Sequence, residues 1–274
     1  PALSLQVKEL EETLGVPLLE RGGRSIRLTR TGEAVAARAR GILAAVDELA
    51  DFARASRDGF SGRLRLGMIP TVAPYLLPAI MADLGAAYPG LDIHVREAVT
   101  PRLMDDLAEG RLDAAIVALP VSQPALTEIG LINEEFLLVR PGAGDGPAAD
   151  GADLDATRLL LLEEGHCFRD QALSFCRVRS VTPRDVLEAS SLSTLVQMVA
   201  AGMGVTLVPE MAVPVETRSA PVSAARFADA PPSRTVGMVF RKASPLARQL
   251  TELSGVVRRA ALRARDHQVA LTPA

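Results

Sequence analysis

The apolar positions of this chain follow two regimes, helical at the start and alternating strand and helix afterwards. Leu3, Val7, Leu10 and Leu14 recur at spacings of four, three and four. That is one face of a helix over residues 1–14, with Pro1 suited to its first turn and Gly15 to its end. A second helix is predicted over residues 33–60. There Val35, Ala39, Ile42, Val46, Leu49 and Ala53 alternate by four and three. Such a heptad seam suits a two-helix dimer, and an amphipathic helix lying on a globular core is the other reading. From Gly62 onward strands are expected at 63–68, 91–97 and 114–118, with helices at 75–87 and 102–109 between them. A second set follows: strands at 136–139, 158–162, 205–208 and 234–240, and helices after residue 165, at 191–201 and at 245–263. Residues 142–152 and 214–233, rich in Gly, Ala, Pro and Ser, read as loops.

Strands alternating with helices predict an α/β fold with a doubly wound parallel sheet and helices on both faces. Two similar halves usually hold a ligand in the cleft between them. There is no GxGxxG, no P-loop and no specific Ser-His-Asp arrangement, and no cofactor is expected.

Length and charge narrow the class. The chain has 274 residues, a formal net charge of −3 and no Trp. It is long enough for two domains with good cores. No apolar run is long enough to span a bilayer, and no signal peptide opens the chain, so the cytoplasm is the expected compartment. The first residue is Pro1 rather than Met, so the chain is expected to be a fragment or to begin where order begins. The mildly acidic balance does not point to nucleic acid, and that evidence has to be local. It lies in GVPLLERGGRSIRLTRTGE, where Arg21, Arg24, Arg27 and Arg30 fall within ten residues with no acid between them. Gly22-Gly23 marks a hairpin turn. A helix followed by a basic hairpin is what a winged helix-turn-helix shows from its recognition helix onward. An ordinary solvated basic loop is the alternative.

Both cysteines, Cys167 and Cys176, lie in GHCFRDQALSFC. Gly165 breaks the chain just before a helix, so Cys167 falls in a first helical turn, where the dipole favours a thiolate. His166 and Arg169 offer nearby positive charge, and Asp170 opposes it. Peroxide would convert such a thiolate to a sulfenic acid, which a second thiol can condense with. On one continuous helix the two cysteines would stand roughly 13 Å apart, whereas a disulfide needs Cα atoms within about 7 Å. Bonding would require the segment to unwind. The alternative is that both are small buried hydrophobes. No metal is expected, because the paired CxxC spacing of a zinc site is missing.

The first 33 residues resemble the DNA-binding end of LysR-type transcription regulators without its first two helices. IPTVAPYLLP at 69–78, EAVT at 97–100, EEGHCFRDQALSFC at 163–176, SLSTLVQMVAAGMGVTLVPEMAVP at 191–214 and SRTVGMVFRKASPL at 233–246 resemble the peroxide-responsive branch of that family. The resemblance implies a partial winged helix-turn-helix over 1–32 and a linker helix over 33–60. It implies a two-subdomain, periplasmic-binding-protein-like regulatory domain, with 61–130 and 235–274 in one half and 131–234 in the other. Cys167 matches the peroxidatic cysteine and Cys176 the resolving one. Thr71, Thr100, His166, Arg169, Asp170 and Arg234 match residues around the reactive sulfur. Ser4, Gln6 and Lys8 fall on the recognition helix, and Arg21, Arg24 and Arg27 in the wing. The implied partners are hydrogen peroxide, double-stranded operator DNA, further copies in a dimer or tetramer, RNA polymerase and a thiol reductant of the glutaredoxin kind, with no membrane. Two rival readings remain: a regulator sensing a small organic effector with inert cysteines, and a thiol peroxidase that turns over.

Overall fold

A computed structural model describes residues 2–20, 26–55, 60–142, 158–178, 185–228 and 230–269. The first helix, α1 (Ala2–Leu14), is followed by a two-stranded ribbon of β1 (Leu19–Glu20) and β2 (Arg27–Leu28). The hairpin turn expected at Gly22-Gly23 lies outside the described residues, as do Arg21, Arg24 and most of the loop expected at 142–152. The long helix α2 runs Arg30–Ala55, three residues earlier than periodicity suggests. The reason is local: Thr29 Oγ1 accepts a bond from the Gly32 amide at 2.9 Å and satisfies one of the orphan donors of the first turn.

Beyond α2 the described residues build one mixed, nine-stranded sheet. Its first half holds β3 (Gly62–Met68), β4 (Leu91–Glu97) and β5 (Ala114–Leu119), all parallel, with helices α3 (Ala73–Ala87) and α4 (Thr100–Ala108) as crossovers. Its second half holds β7 (Arg158–Leu162), β8 (Asp185–Ala189) and β9 (Val205–Pro209), also parallel, with helices α5 (Cys167–Val178) and α6 (Leu192–Ala200). Two long strands join the halves. The leading part of β6 (Leu126–Pro141) pairs with β11 (Ser233–Arg241), and its trailing part pairs with β9 and β10 (Val222–Ala225), all antiparallel. The parallel pairing expected from the βαβ runs is found within each half, and the antiparallel joining strands make the whole sheet mixed. The strands that carry the chain between halves have to run against their neighbours.

Other expectations change as well. The strand expected at 136–139 is only the end of the sixteen-residue β6. Gly130 and the pair Glu134-Glu135 interrupt its apolar pattern, so its first half is held by pairing with β11 rather than by alternation. β8 was not foreseen in the sequence. The supposed loop at 214–233 contains the end of the short helix α7 (Val213–Glu216) and strand β10. The last helix, α8 (Ala247–Val269), outlasts its expected end and packs on α3 and β6.

Most buried apolar side chains form one continuous core across both halves, including Leu66, Met68, Ile116, Phe136, Leu160 and Phe168. Burial on this scale, at about 25 cal/mol per Å2 of apolar surface, is the main force fixing the strands. Gly237 shows how closely β11 approaches β5. A Cβ there would meet Leu119 Cδ1 at 2.2 Å, beside the bulge where β11 shifts register against β6.

Candidate functional site

Strand β7 ends at Leu162, and a tight turn leads into α5. Gly165 takes φ +94°, a left-handed value that suits glycine. The turn is pinned by the His166 amide on the Glu163 carbonyl (3.4 Å) and the Arg169 amide on the His166 carbonyl (3.0 Å). Helix α5 buries Phe168, Ala172, Phe175 and Cys176 on one face. Phe168 meets Phe136 edge-on at 4.8 Å, and Phe175 meets Phe227 at 5.0 Å. That packing fixes the rotation of the helix and leaves Cys167, its first residue, half-buried at a cleft.

The cleft has a volume of about 480 Å3. Its walls come from α4, the end of β5 and the start of α5, and they bring Cys167 together with Thr100 and Asp170. Thr100 opens helix α4, and its Oγ1 is buried with no hydrogen-bond partner among the described residues. A buried hydroxyl left unpaired costs about 1–3 kcal/mol and calls for a polar guest. The far end of α4 is anchored, since Arg241 Nη1 donates to the Leu107 and Leu112 carbonyls (2.6 and 3.0 Å). Thr100 is therefore carried on a fixed helix.

Thr71 and Arg234 form a separate, fully buried network. Arg234 donates to Thr71 Oγ1 (2.8 Å) and the Thr71 carbonyl (2.9 Å) from one side of its guanidinium. Its Nε donates to Glu134 Oε1 at 2.7 Å. The Met211 amide also donates to this carboxylate, at 3.3 Å. Burial pushes the Glu134 carboxyl above its ordinary value, while the charge and hydrogen bonds of Arg234 pull against that. The guanidinium lies 5.9 Å from the ring centres of both Phe136 and Phe168. The network thus reaches Phe168, the residue next to Cys167 in the chain, and neither Thr71 nor Arg234 lines the cleft.

Two expected neighbours of the sulfur behave differently. Arg169 turns away from the cleft, with Nη1 on the Leu162 carbonyl (3.1 Å) and on Glu188 Oε1 (2.6 Å). Burial holds the His166 imidazole below its ordinary value, with Glu163 partly opposing. That shift works against the positive charge expected of it. What remains beside Cys167 is the helix N-terminus itself. Among the described residues no group of His, Cys, Asp and Glu is arranged to hold a metal ion.

Comparison with known proteins decides the family. Residues 57–262 match the LysR substrate binding domain, and residues 1–33 match the bacterial regulatory helix-turn-helix protein of the lysR family. The chain belongs to the LysR family of bacterial transcription regulators. Among its relatives, a probable hydrogen peroxide-inducible genes activator of Streptomyces viridosporus is 46% identical over 265 residues, covering 95% of this chain and 85% of the relative. The DNA-binding transcriptional dual regulator OxyR of Escherichia coli K12 is 40% identical over 262 residues, covering 94% and 86%. A hydrogen-peroxide-bound cysteine-to-serine mutant of Corynebacterium glutamicum OxyR superposes with a TM-score of 0.73 at 35% identity, covering 99% of this chain and 85% of that one. Family membership makes this chain a DNA-binding regulator rather than an enzyme.

Ser4, Gln6 and Lys8 are exposed on α1, Lys8 facing Glu12 at 3.7 Å. Glu11 ties α1 to the ribbon by accepting the Leu18 and Leu19 amides (2.7 and 3.0 Å). Arg27 is exposed on β2. On α2 the seam residues Ile42, Val46 and Leu49 are 66%, 58% and 69% exposed, so none of the described residues covers them. No helix among the described residues is long and apolar enough to cross a membrane.

Sequence reasoning missed Glu134, Phe136 and Glu216. Tyr75 on α3 donates to Glu216 Oε1 (2.7 Å), and Ser193 on α6 donates to Glu216 Oε2 (2.6 Å), which fastens one half to the other. Burial pushes the Tyr75 phenol well up, with Glu216 adding to the rise, so it stays a donor. The signal for Glu134 was present: two acids standing in the middle of an apolar strand.

Proposed function

We propose that this LysR-type regulator is a peroxide-responsive switch in which Cys167 is the reacting thiol and Cys176 its resolving partner. The observation that carries the reading is the placement of Cys167 at the first position of α5. There it lines a cleft shared with the unpaired Thr100 hydroxyl. The Cys167 thiolate attacks one peroxide oxygen. An S–O bond forms, the O–O bond breaks, and hydroxide leaves to become water. The Cys176 thiol then attacks the sulfenic sulfur, a disulfide forms, and a second water departs.

The two thiols lie nine positions apart on one helix. At 1.5 Å per residue that is roughly 13 Å, about twice the reach of a disulfide. Oxidation therefore has to unwind α5 and expose the buried Cys176, which turns a redox event into a change of shape. Thr71, Thr100, His166, Arg169, Asp170 and Arg234 support this site. Thr100 and Asp170 do so from the cleft, and the others by fixing the chain around it.

In this reading residues 1–32 form part of a winged helix-turn-helix. Ser4, Gln6 and Lys8 meet bases, and Arg21, Arg24 and Arg27 meet phosphates. Residues 33–60 pair two copies, and 61–130 with 235–274 and 131–234 form the two regulatory halves. The partners are operator DNA, a second copy or a tetramer, RNA polymerase and a glutaredoxin-like dithiol that resets the switch, all in the cytoplasm.

Mass spectrometry after brief peroxide exposure tests this. The expected product is a Cys167–Cys176 disulfide, with a trappable sulfenic acid at Cys167 in Cys176→Ser and neither product in Cys167→Ser. Intact thiols in the parent protein would overturn the mechanism.

A further inference from the structure

We propose that Phe227 is a positioning residue for the closing of the disulfide. Its ring holds Phe175, and with it Cys176, in the core, and so sets how long the oxidised Cys167 waits for its partner. The proposal rests on the reading of Cys167 and Cys176 as reacting and resolving thiols.

The first observation is which end of α5 has to move. The Cys167 end is tied into the fold. Arg169 reaches the Leu162 carbonyl at 3.1 Å and Glu188 Oε1 at 2.6 Å. Phe168 stands edge-on to Phe136, and the Arg234 guanidinium lies 5.9 Å from its ring centre. Cys176, by contrast, is close to the end of the helix at Val178. Helix ends carry unpaired carbonyls and fray before the middle does. Cys176 is therefore the thiol that travels, and Cys167 the one that stays.

The second observation is what holds the travelling end. Phe175 precedes Cys176, and both are buried, as is Phe227. The rings of Phe175 and Phe227 meet edge-on, 5.0 Å between centres and 68° between planes. An edge contact of this kind is worth more than the area it buries. Drawing Cys176 out of the core pulls Phe175 off Phe227. The contact is intact before closure and broken on the way to it, so it adds to the barrier of that step.

The third observation is that Phe227 is itself fixed. Strand β10 runs up to Ala225 and pairs with β6 from Val222 opposite Pro141 to Ala225 opposite Leu138. Arg226 then pairs with Glu135 at 3.0 Å and with Glu210. Strand pairing and two ion pairs immediately before it make Phe227 a post, not a movable cover. Neither Phe175 nor Phe227 lines the cleft at Cys167. The post acts on closure and not on the attack on peroxide.

In the closing step the Cys176 sulfur bonds to the sulfenic sulfur, the S–O bond breaks, and hydroxide leaves with the thiol proton as water. The sulfurs have to come within disulfide reach first, so release of Cys176 limits the rate. A slower release leaves more time for a soluble thiol to cap the sulfenic acid instead. Phe227 thereby sets the share of oxidised protein that goes on to change shape.

The test follows two rates in the reduced full chain by rapid quench and mass spectrometry. One is loss of the Cys167 thiol on addition of hydrogen peroxide. The other is conversion of the sulfenic acid, captured with dimedone, to the Cys167–Cys176 disulfide. Phe227→Leu keeps an apolar side chain and removes the ring. It is expected to leave the first rate within about twofold and to speed the second about threefold to tenfold, the scale of one lost ring contact. Phe175→Leu combined with Phe227→Leu is expected to gain no more than either change alone, because both remove the same contact. Leu253→Ala, a core truncation on α8, is expected to lower stability and leave both rates alone, which separates a specific hold from general loosening. An unchanged closing rate in a folded Phe227→Leu would overturn the proposal and leave the thiol pair standing. Equal acceleration in Leu253→Ala would do the same. If Phe227→Leu does not fold, Arg226→Gln loosens the same post from a half-exposed side chain and is expected to speed closure about twofold. No change in that variant would count equally against the proposal. A parent protein that forms no disulfide would remove the switch itself, and this proposal with it.

Discussion

Arg234 holds Thr71 twice, through Nη1 on the side-chain hydroxyl at 2.8 Å and Nη2 on the backbone carbonyl at 2.9 Å, although the two residues are 163 positions apart. The same guanidinium pairs with Glu134 and faces Phe168, so one side chain joins β11, β6, the loop before α3 and the cysteine helix. Arg234→Ala leaves a buried carboxyl facing apolar surroundings. We expect about 3 kcal/mol of destabilisation in urea unfolding. Arg234→Met combined with Glu134→Gln is expected to recover most of that loss, because no buried charge is then left alone. A double variant as unstable as Arg234→Ala would show that the ion pair is not the source.

His166 gives a pH signature. Its pKa in the fold is pushed below its ordinary 6.5 by burial. The unfolded chain therefore takes up the proton first as pH falls. Stability from this residue is complete above about pH 6.5 and is lost as pH drops toward the folded value. Imidazole titration by NMR should show a midpoint below 6.5. Glu163→Gln should lower it further, because the Glu163 charge opposes the shift. A midpoint above 6.5 would contradict the structure.

Gly165 sets the entry to α5. A Cβ there would come no closer than 3.7 Å to Val99, so space is not the obstacle. The obstacle is φ +94°, which L residues adopt at a cost of about 1–2 kcal/mol. Gly165→Ala is expected to lower stability by that amount in thermal unfolding. A neutral or stabilising result would mean that the turn relaxes freely.

The exposed seam of α2 predicts an assembly. Ile42, Val46 and Leu49 repeat on one stripe of a 26-residue helix. Ile42→Asp with Leu49→Asp is expected to convert the dimer to monomer in sedimentation velocity, with little change in monomer fold. An undiminished dimer would assign pairing to another surface.

Much of this molecule is legible one segment at a time. The spacing of Leu3, Val7, Leu10 and Leu14 dictates α1, and the heptad of α2 dictates a helix with an unpartnered stripe, because both signals repeat within a few turns. The cysteine helix is legible too, from Gly165 as a break and Phe168, Ala172 and Phe175 as a buried face. Strand order was not, and neither was the first half of β6. Leu126–Glu135 is held by hydrogen bonds to residues about a hundred positions later, and pairing at that range leaves no periodic trace. The surroundings of the sulfur divide in the same way. Chemistry local to the chain singled out Cys167, Cys176 and the helix N-terminus. Only folding decided that Arg169 would turn to Glu188, that burial would lower the His166 pKa, and that Thr100 would stand unpaired at the cleft. Those outcomes depend on which distant groups share a low-dielectric interior, and proximity of that kind is a property of tertiary packing alone.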